Sequence, residues 1–280
     1  MEDDKKCAPG KNFKEGSCFT AEDLYKIAQS YNENFKEKII LKKDKRYLLK
    51  ELTNKLRNVC NTQQCWLKLQ FMKDIKDKNL LKNTFRPSGP DTGTKWLSTT
   101  DIDNVMNQYH QEFNDFLFLG TVPLDFADIG MGFKDLDFDK LLKDNKNKLG
   151  MVINLDTHDK SGSHWVGLYS DLKKKQIYFF DSYGTKPEKE IQKFMNRLKK
   201  WMGKTYGLNN DSEGKLFNSE NIDIRYNKKR HQYKNSECGV YSMNFIIRLL
   251  RGEGFSKIED SRVIDDEINK CRKVYFSKKK

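Results

Sequence analysis

Apolar residues recur at helical spacing near the start of the chain, where Leu24, Ile27, Ala28 and Tyr31 fall on one face. Thr20 followed three places on by Asp23 reads as a capping box, so a helix is expected over 20–33. Leu48, Leu49, Leu52, Leu56 and Val59 make a second stripe, which runs into Cys60-Asn-Thr-Gln-Gln-Cys65-Trp66. The breaker-rich run Arg86-Pro-Ser-Gly-Pro-Asp-Thr-Gly93 then interrupts every periodicity. It sets the expected division of the chain: a mainly helical extension over 1–85 and a second domain over 86–280. In that domain Thr99 or Thr100 is the expected cap of a helix carrying Ile102, Val105, Met106, Tyr109 and Phe113.

The period then changes. Phe116–Val122, Met151–Leu155, Trp165–Tyr169 and Gln176–Phe180 read as short strands, with Asp171–Lys175 as a polar turn. Pro187 suits the first turn of a helix whose stripe is Ile191, Phe194, Met195, Leu198 and Met202. Ile222, Ile224 and Tyr226 alternate with polar residues, as in a half-exposed strand. Gly239–Leu250 is apolar on most sides and predicts a buried helix stopped by Gly252. Ile264, Ile268, Cys271 and Tyr275 predict a closing helix. The fold class is α+β, a helical N-terminal region followed by a small sheet flanked by helices.

Composition narrows the class. Among 280 residues, 53 are basic and 40 acidic, a formal charge of +13, and mean hydropathy is −0.86. The 18 Phe, 12 Tyr and 4 Trp exclude wholesale disorder, which is poor in aromatics. No apolar run approaches the roughly 20 residues of a membrane span, and the charged N-terminus is unlike a signal peptide. A soluble intracellular protein without membrane contact is expected. Charge is uneven: net +8 over 1–90, −6 over 91–160 and +11 over 161–280. The basic regions suit non-specific contact with DNA phosphates, but no sequence-specific recognition motif is present. Six Cys are too few for a secreted disulfide scaffold, so reduced thiols are the default.

The candidate chemistry rests on four residues. Of the four His, only His164 leads a strand-like run, Gly162-Ser-His-Trp-Val-Gly-Leu168. Asp181 ends the next strand, 17 positions later, where a hairpin can bring a carboxylate to the imidazole. Cys238, in Gln232-Tyr-Lys-Asn-Ser-Glu-Cys238-Gly, stands at the mouth of the buried helix, where the helix dipole favours a thiolate. Gln232, six positions before it, carries an amide of the kind an oxyanion hole uses.

The order His, Asp, Gln, Cys, with His-Trp and Glu-Cys-Gly, resembles the clan of cysteine proteases that includes adenovirus protease and the SUMO-deconjugating proteases. The resemblance runs from about Trp96 to the end of the Cys238 helix. It implies a papain-like core in the ubiquitin-like-protease topology, with Cys238 as nucleophile, His164 as base, Asp181 as its orienting partner and Gln232 as oxyanion donor. It also implies that Trp165 and Trp96 flank a narrow channel suited to Gly-Gly. Thr84-Phe-Arg-Pro-Ser-Gly-Pro with Trp96-Leu-Ser-Thr-Thr-Asp-Ile, and Cys7-Ala-Pro-Gly with Ser17-Cys-Phe-Thr, resemble proteases of large nucleocytoplasmic DNA viruses. That likeness implies processing of viral structural polyproteins after Gly-Gly, in the virion and at the assembly site in the host cytoplasm.

The reaction requires no cofactor and no metal. Cys7, Cys18, Cys60 and Cys65 lack a familiar zinc spacing, leaving packed thiols or disulfides in a released particle as the expectation. Three other functions remain open at this level: removal of ubiquitin-like modifiers, acetyl transfer by the same triad, and a non-catalytic virion component.

Overall fold

The computed structural model describes residues 3–207 and 221–278. The chain divides into two compact units, first between Asp91 and Thr92 and again between Arg272 and Lys273. The division falls inside the breaker segment, six residues beyond the expected end of the extension at residue 85. The last residues, expected within the 86–280 domain, instead group with the first unit. There β1 (Ser88–Gly89) pairs in parallel with β7 (Ser277–Lys278), a contact between positions too far apart in sequence for periodicity to register.

The first unit is built from α1 (Ala21–Asn34), α2 (Lys45–Leu56) and two short helices, α3 (Gln63–Trp66) and α4 (Lys78–Lys82). The capping box at α1 is complete: the Thr20 hydroxyl accepts from the Asp23 N–H at 3.0 Å, and the Asp23 carboxylate accepts from the Thr20 N–H at 2.9 Å. Leu24, Ile27, Leu48, Leu52, Trp66 and Phe71 fill the core between these helices. Val59 does not extend the stripe, because α2 ends at Leu56 and Val59 is left 68 % exposed. The early cysteines form two disulfides, Cys7–Cys18 and Cys60–Cys65.

The second unit carries α5 (Thr99–Glu112), β2 (Phe116–Val122), α6 (Phe138–Lys143), β3 (Lys148–Asn154), β4 (Trp165–Asp171), β5 (Gln176–Phe180), α7 (Lys189–Thr205), β6 (Asp223–Tyr226), α8 (Cys238–Leu250), α9 (Phe255–Asp260) and α10 (Asp265–Lys270). The short α11 (Arg272–Tyr275) ends the helical run. Five strands form one sheet in the order β2-β3-β4-β5-β6, parallel at both outer pairs and antiparallel through β3-β4-β5. Every residue of β4 is buried, because helices cover both faces and the strand reads as a continuous run rather than an alternation.

Two glycines let α8 lie against the sheet. A Cβ at Gly167 would stand 2.9 Å from the Phe245 ring and 3.2 Å from the Ser242 carbonyl, and one at Gly150 would meet Phe116 and Ile246. On the other face Leu149, Met151, Val166 and Leu168 pack with Ile191 and Leu198 of α7.

Three expected boundaries move, each for a local reason. Ser98, not Thr99 or Thr100, caps α5, because it stands three residues before Asp101 and completes a reciprocal capping box. Pro187 lies outside α7, one residue ahead of its N-cap Glu188, and its carbonyl accepts from the Gln192 side chain at 2.7 Å. The closing helix is broken at Cys271, the C-cap of α10, and Ile264 is an exposed N-cap rather than a core position.

Candidate active site

The start of β4, the end of β5 and the first turn of α8 meet at one end of the sheet. His164 immediately precedes β4 and Asp181 immediately follows β5. The antiparallel register, with Gly167 opposite Phe180, makes the two neighbours, and His164 Nε2 lies 2.6 Å from Asp181 Oδ1. Both side chains are buried. Cys238 acts on the same ring, and because Asp181 takes Nε2, Nδ1 is the nitrogen left to serve the sulfur. Cys238 is the first residue of α8, so its own N–H has no acceptor within the helix. The sulfur-bearing residue is only 2 % exposed.

Burial by itself would lower the His164 pKa, but hydrogen bonds to Asp181 and to Cys238, and their charges, overcome it. The ring is pushed up to about 9 and is therefore protonated at neutral pH.

Asp181 is fixed from several directions. Asn227, wholly buried, accepts from the Asp181 N–H at 2.8 Å and donates to its carbonyl at 2.6 Å. The Asp181 carboxylate also accepts from the Tyr183 N–H at 2.9 Å and from the Thr185 hydroxyl. Ser182 reaches the other way, donating to Gln232 Oε1 at 2.6 Å, while its carbonyl accepts from the Gln232 N–H at 2.9 Å. Gln232 Nε2 spends one hydrogen on the Lys234 carbonyl at 2.7 Å and keeps a second.

The two tryptophans line one cavity of about 600 Å³. Trp165 is buried, with its indole N–H on the Leu97 carbonyl at 3.0 Å, whereas Trp96 is 50 % exposed at the mouth. Gly239 keeps α8 close to them, since a Cβ there would stand 3.3 Å from both Leu97 and Trp165. The other three His do not contact the His164 ring: His158 is exposed, pairs with Asp125 and lines the same cavity as the tryptophans, His110 is half-buried on α5, and His231 packs on Phe180 with its backbone N–H on the Ser182 carbonyl.

Three residues were not singled out by sequence. Asn227 is one. Tyr183 stacks flat on the His164 ring, centroids 4.4 Å apart and planes within 5°. Arg230 lies over the Tyr183 ring at 5.1 Å. Continuing the β4–β5 register past its last pair puts Tyr183 opposite His164, so the signal for Tyr183 was present in the hairpin. Asn227 and Arg230 arrive from a distant segment and left none.

The arrangement can run thiol-dependent acyl chemistry, and the comparisons agree. Residues 139–277 match the model of the Ulp1 protease family, C-terminal catalytic domain. An Acanthamoeba polyphaga mimivirus protein named "Putative thiol protease R355" is 34% identical, aligned over 96% of this chain and 92% of its own. A protein of African swine fever virus named SUMO-1 cysteine protease is 25% identical over 86% of this chain and 92% of its own. The crystal structure of the African swine fever virus protease superposes with a TM-score of 0.66 at 22% identity, covering 86% of this chain and 94% of that one. The chain thus belongs to the Ulp1 protease family of cysteine peptidases, with viral thiol proteases among its relatives.

Proposed function

We propose that the protein is an endopeptidase that cleaves after Gly-Gly or similarly small residues and processes viral structural polyproteins during virion maturation. The observation that carries this reading is an imidazole hydrogen-bonded to the Asp181 carboxylate at 2.6 Å and pushed up in pKa by both Asp181 and Cys238. The Cys238 thiolate attacks the carbonyl carbon of the scissile peptide, and the carbonyl electron pair moves to oxygen. The Cys238 N–H and the second Nε2 hydrogen of Gln232 are the donors for that oxyanion. Collapse expels the amine, which takes its proton from His164, and leaves a thioester. Water then gives a proton to His164, attacks the thioester and regenerates the thiolate.

Trp165 and Trp96 line one cavity, and bulky indoles beside a cleavage point suit small substrate residues there. The two disulfides suit a protein that works in a particle outside the reducing cytoplasm, after assembly there. The charge of +13 suits weak, salt-sensitive contact with packaged DNA. Removal of a ubiquitin-like modifier is the second reading, favoured by the name of the African swine fever virus relative.

Peptides centred on Gly-Gly-Ala, Gly-Gly-Lys and Ala-Ala-Ala, beside an intact ubiquitin-like fusion, test both. Cleavage of the Gly-Gly peptides, lost in Cys238→Ala, is the expected result. Cleavage of the folded fusion alone moves the function to deconjugation, and cleavage of Ala-Ala-Ala at equal rate removes the Gly-Gly preference.

A further inference from the structure

A ladder of cations and aromatic rings leads away from the catalytic imidazole. Tyr183 stacks on His164, and the Arg230 guanidinium lies over Tyr183 at 5.1 Å. Arg230 also lies over Tyr233 at 4.8 Å, and Arg262 covers the same Tyr233 ring at 5.0 Å. Tyr233 is 58 % exposed, and both arginines are exposed.

Arg230 is held but not neutralised. Two rings grip its planar group, and its Nε donates to the Gln232 carbonyl at 2.7 Å. Neither of its terminal nitrogens meets a carboxylate among the described residues. Its neighbours contrast with it: Lys229 pairs with Asp260, and Lys234 with Asp266. Asp265, which packs against this loop, is occupied by the Tyr233 and Lys234 N–H groups at 2.9 and 3.1 Å. Arg262 turns one nitrogen onto the Tyr233 hydroxyl at 2.6 Å. A guanidinium fixed in orientation, with two terminal nitrogens free and one ring away from the reacting centre, is a fork preorganised for a carboxylate.

We propose that Arg230, steadied by Tyr183 and Tyr233, binds an acidic side chain of the protein substrate on the leaving-group side of the scissile bond. The proposal rests on the reading of Cys238 as the nucleophile and His164 as its acid and base. The ladder begins on the imidazole, the group that protonates the departing amine, which places the acidic residue after the cleaved bond. An extended peptide advances about 3.4 Å per residue, so the two steps from imidazole to guanidinium correspond to the second or third residue beyond it.

The test compares Gly-Gly-Ala peptides carrying Asp, Asn or Lys at the second and third positions after the cleavage point, each also placed before the Gly-Gly. Preference for Asp over Asn after the bond is expected at about three- to fivefold in kcat/KM, the scale of an exposed ion pair. It should shrink toward parity above about 0.5 M salt. Arg230→Gln should bring the Asp-to-Asn ratio to near one, and Arg230→Glu should favour Lys instead. An Asp preference that survives in Arg230→Gln, or one confined to positions before Gly-Gly, overturns the proposal. Binding of the same peptides, fluorescently labelled, to Cys238→Ala separates this from the cleavage reading. Equal affinity for Asp and Lys peptides sinks the Arg230 assignment even where Gly-Gly cleavage holds, and tighter Asp binding sustains it even where cleavage fails.

Discussion

Asn227 brackets Asp181, accepting from its N–H and donating to its carbonyl, with the second amide hydrogen shared with the Lys229 carbonyl at 3.1 Å. The carboxylate that holds the His164 imidazole is thus itself held by a buried amide from the segment after β6. Asn227→Ala leaves the Asp181 main chain unsatisfied, at a cost of about 1–3 kcal/mol for each such buried group. A lower midpoint in urea unfolding, together with reduced kcat, is the expected outcome. A drop in stability with kcat intact would mean that Asp181 keeps its place without the bracket.

Asp181→Asn removes the charge that holds the imidazolium while keeping the shape. By analogy with other acid–base catalysts, kcat/KM should fall about 100- to 10,000-fold on a Gly-Gly peptide. The His164 pKa should fall with it, because burial then acts with one fewer opposing partner. NMR titration of the His164 ring checks this, and an unchanged titration would show that Cys238 alone sustains the shift.

In the proposed mechanism, protonation of His164 sets the alkaline limit. Its folded value of about 9 lies above the ordinary 6.5, so the stabilisation it brings is complete below about 6.5 and is lost as pH rises through about 9. Activity that depends on a thiolate beside an imidazolium should fall through the same interval. A profile of kcat/KM against pH that is still level at pH 10 contradicts this assignment.

Gly167→Ala tests the seat of α8, the helix that carries Cys238. The added methyl meets the Phe245 ring at 2.9 Å and the Ser242 carbonyl, a backbone atom that cannot swing away. The helix carrying Cys238 must lift from β4, with a destabilisation of about 1–3 kcal/mol. The expected result is a lower Tm and a slower reaction with iodoacetamide at Cys238. Full activity in this variant would show that α8 can shift without moving the thiol.

Reduction of the disulfides should act on the first unit. A Cys7→Ala, Cys18→Ala double variant loses a cross-link between residues 11 apart, worth about 2–4 kcal/mol. Limited proteolysis should then cut the region before Asp91 first. Equal protease resistance with and without the link would show that the core around Trp66 suffices alone.

Local rules determined much of this protein from sequence. The Thr20–Asp23 capping box, the strands Phe116–Val122 and Gln176–Phe180 and the apolar helix after Cys238 all follow from periodicity and short-range hydrogen bonding. His164, Asp181 and Cys238 each stand at the end of an element whose position the pattern fixed, whereas Gln232 lies in the loop between β6 and α8. Local rules failed where two plausible caps were adjacent, as at Ser98 and Thr99, and where a helix broke at Cys271.

What the tertiary structure alone decided are the contacts between segments far apart along the chain. Asn227 on Asp181, Arg230 over Tyr183 and β7 beside β1 are of this kind, while the disulfides Cys7–Cys18 and Cys60–Cys65 close short loops whose pairing periodicity does not report. Periodicity reports which face of an element is buried but not which distant residue fills it. The choice depends on packing the whole chain at once, and hydrogen-bonding partners and stacked rings are fixed only when that packing is complete.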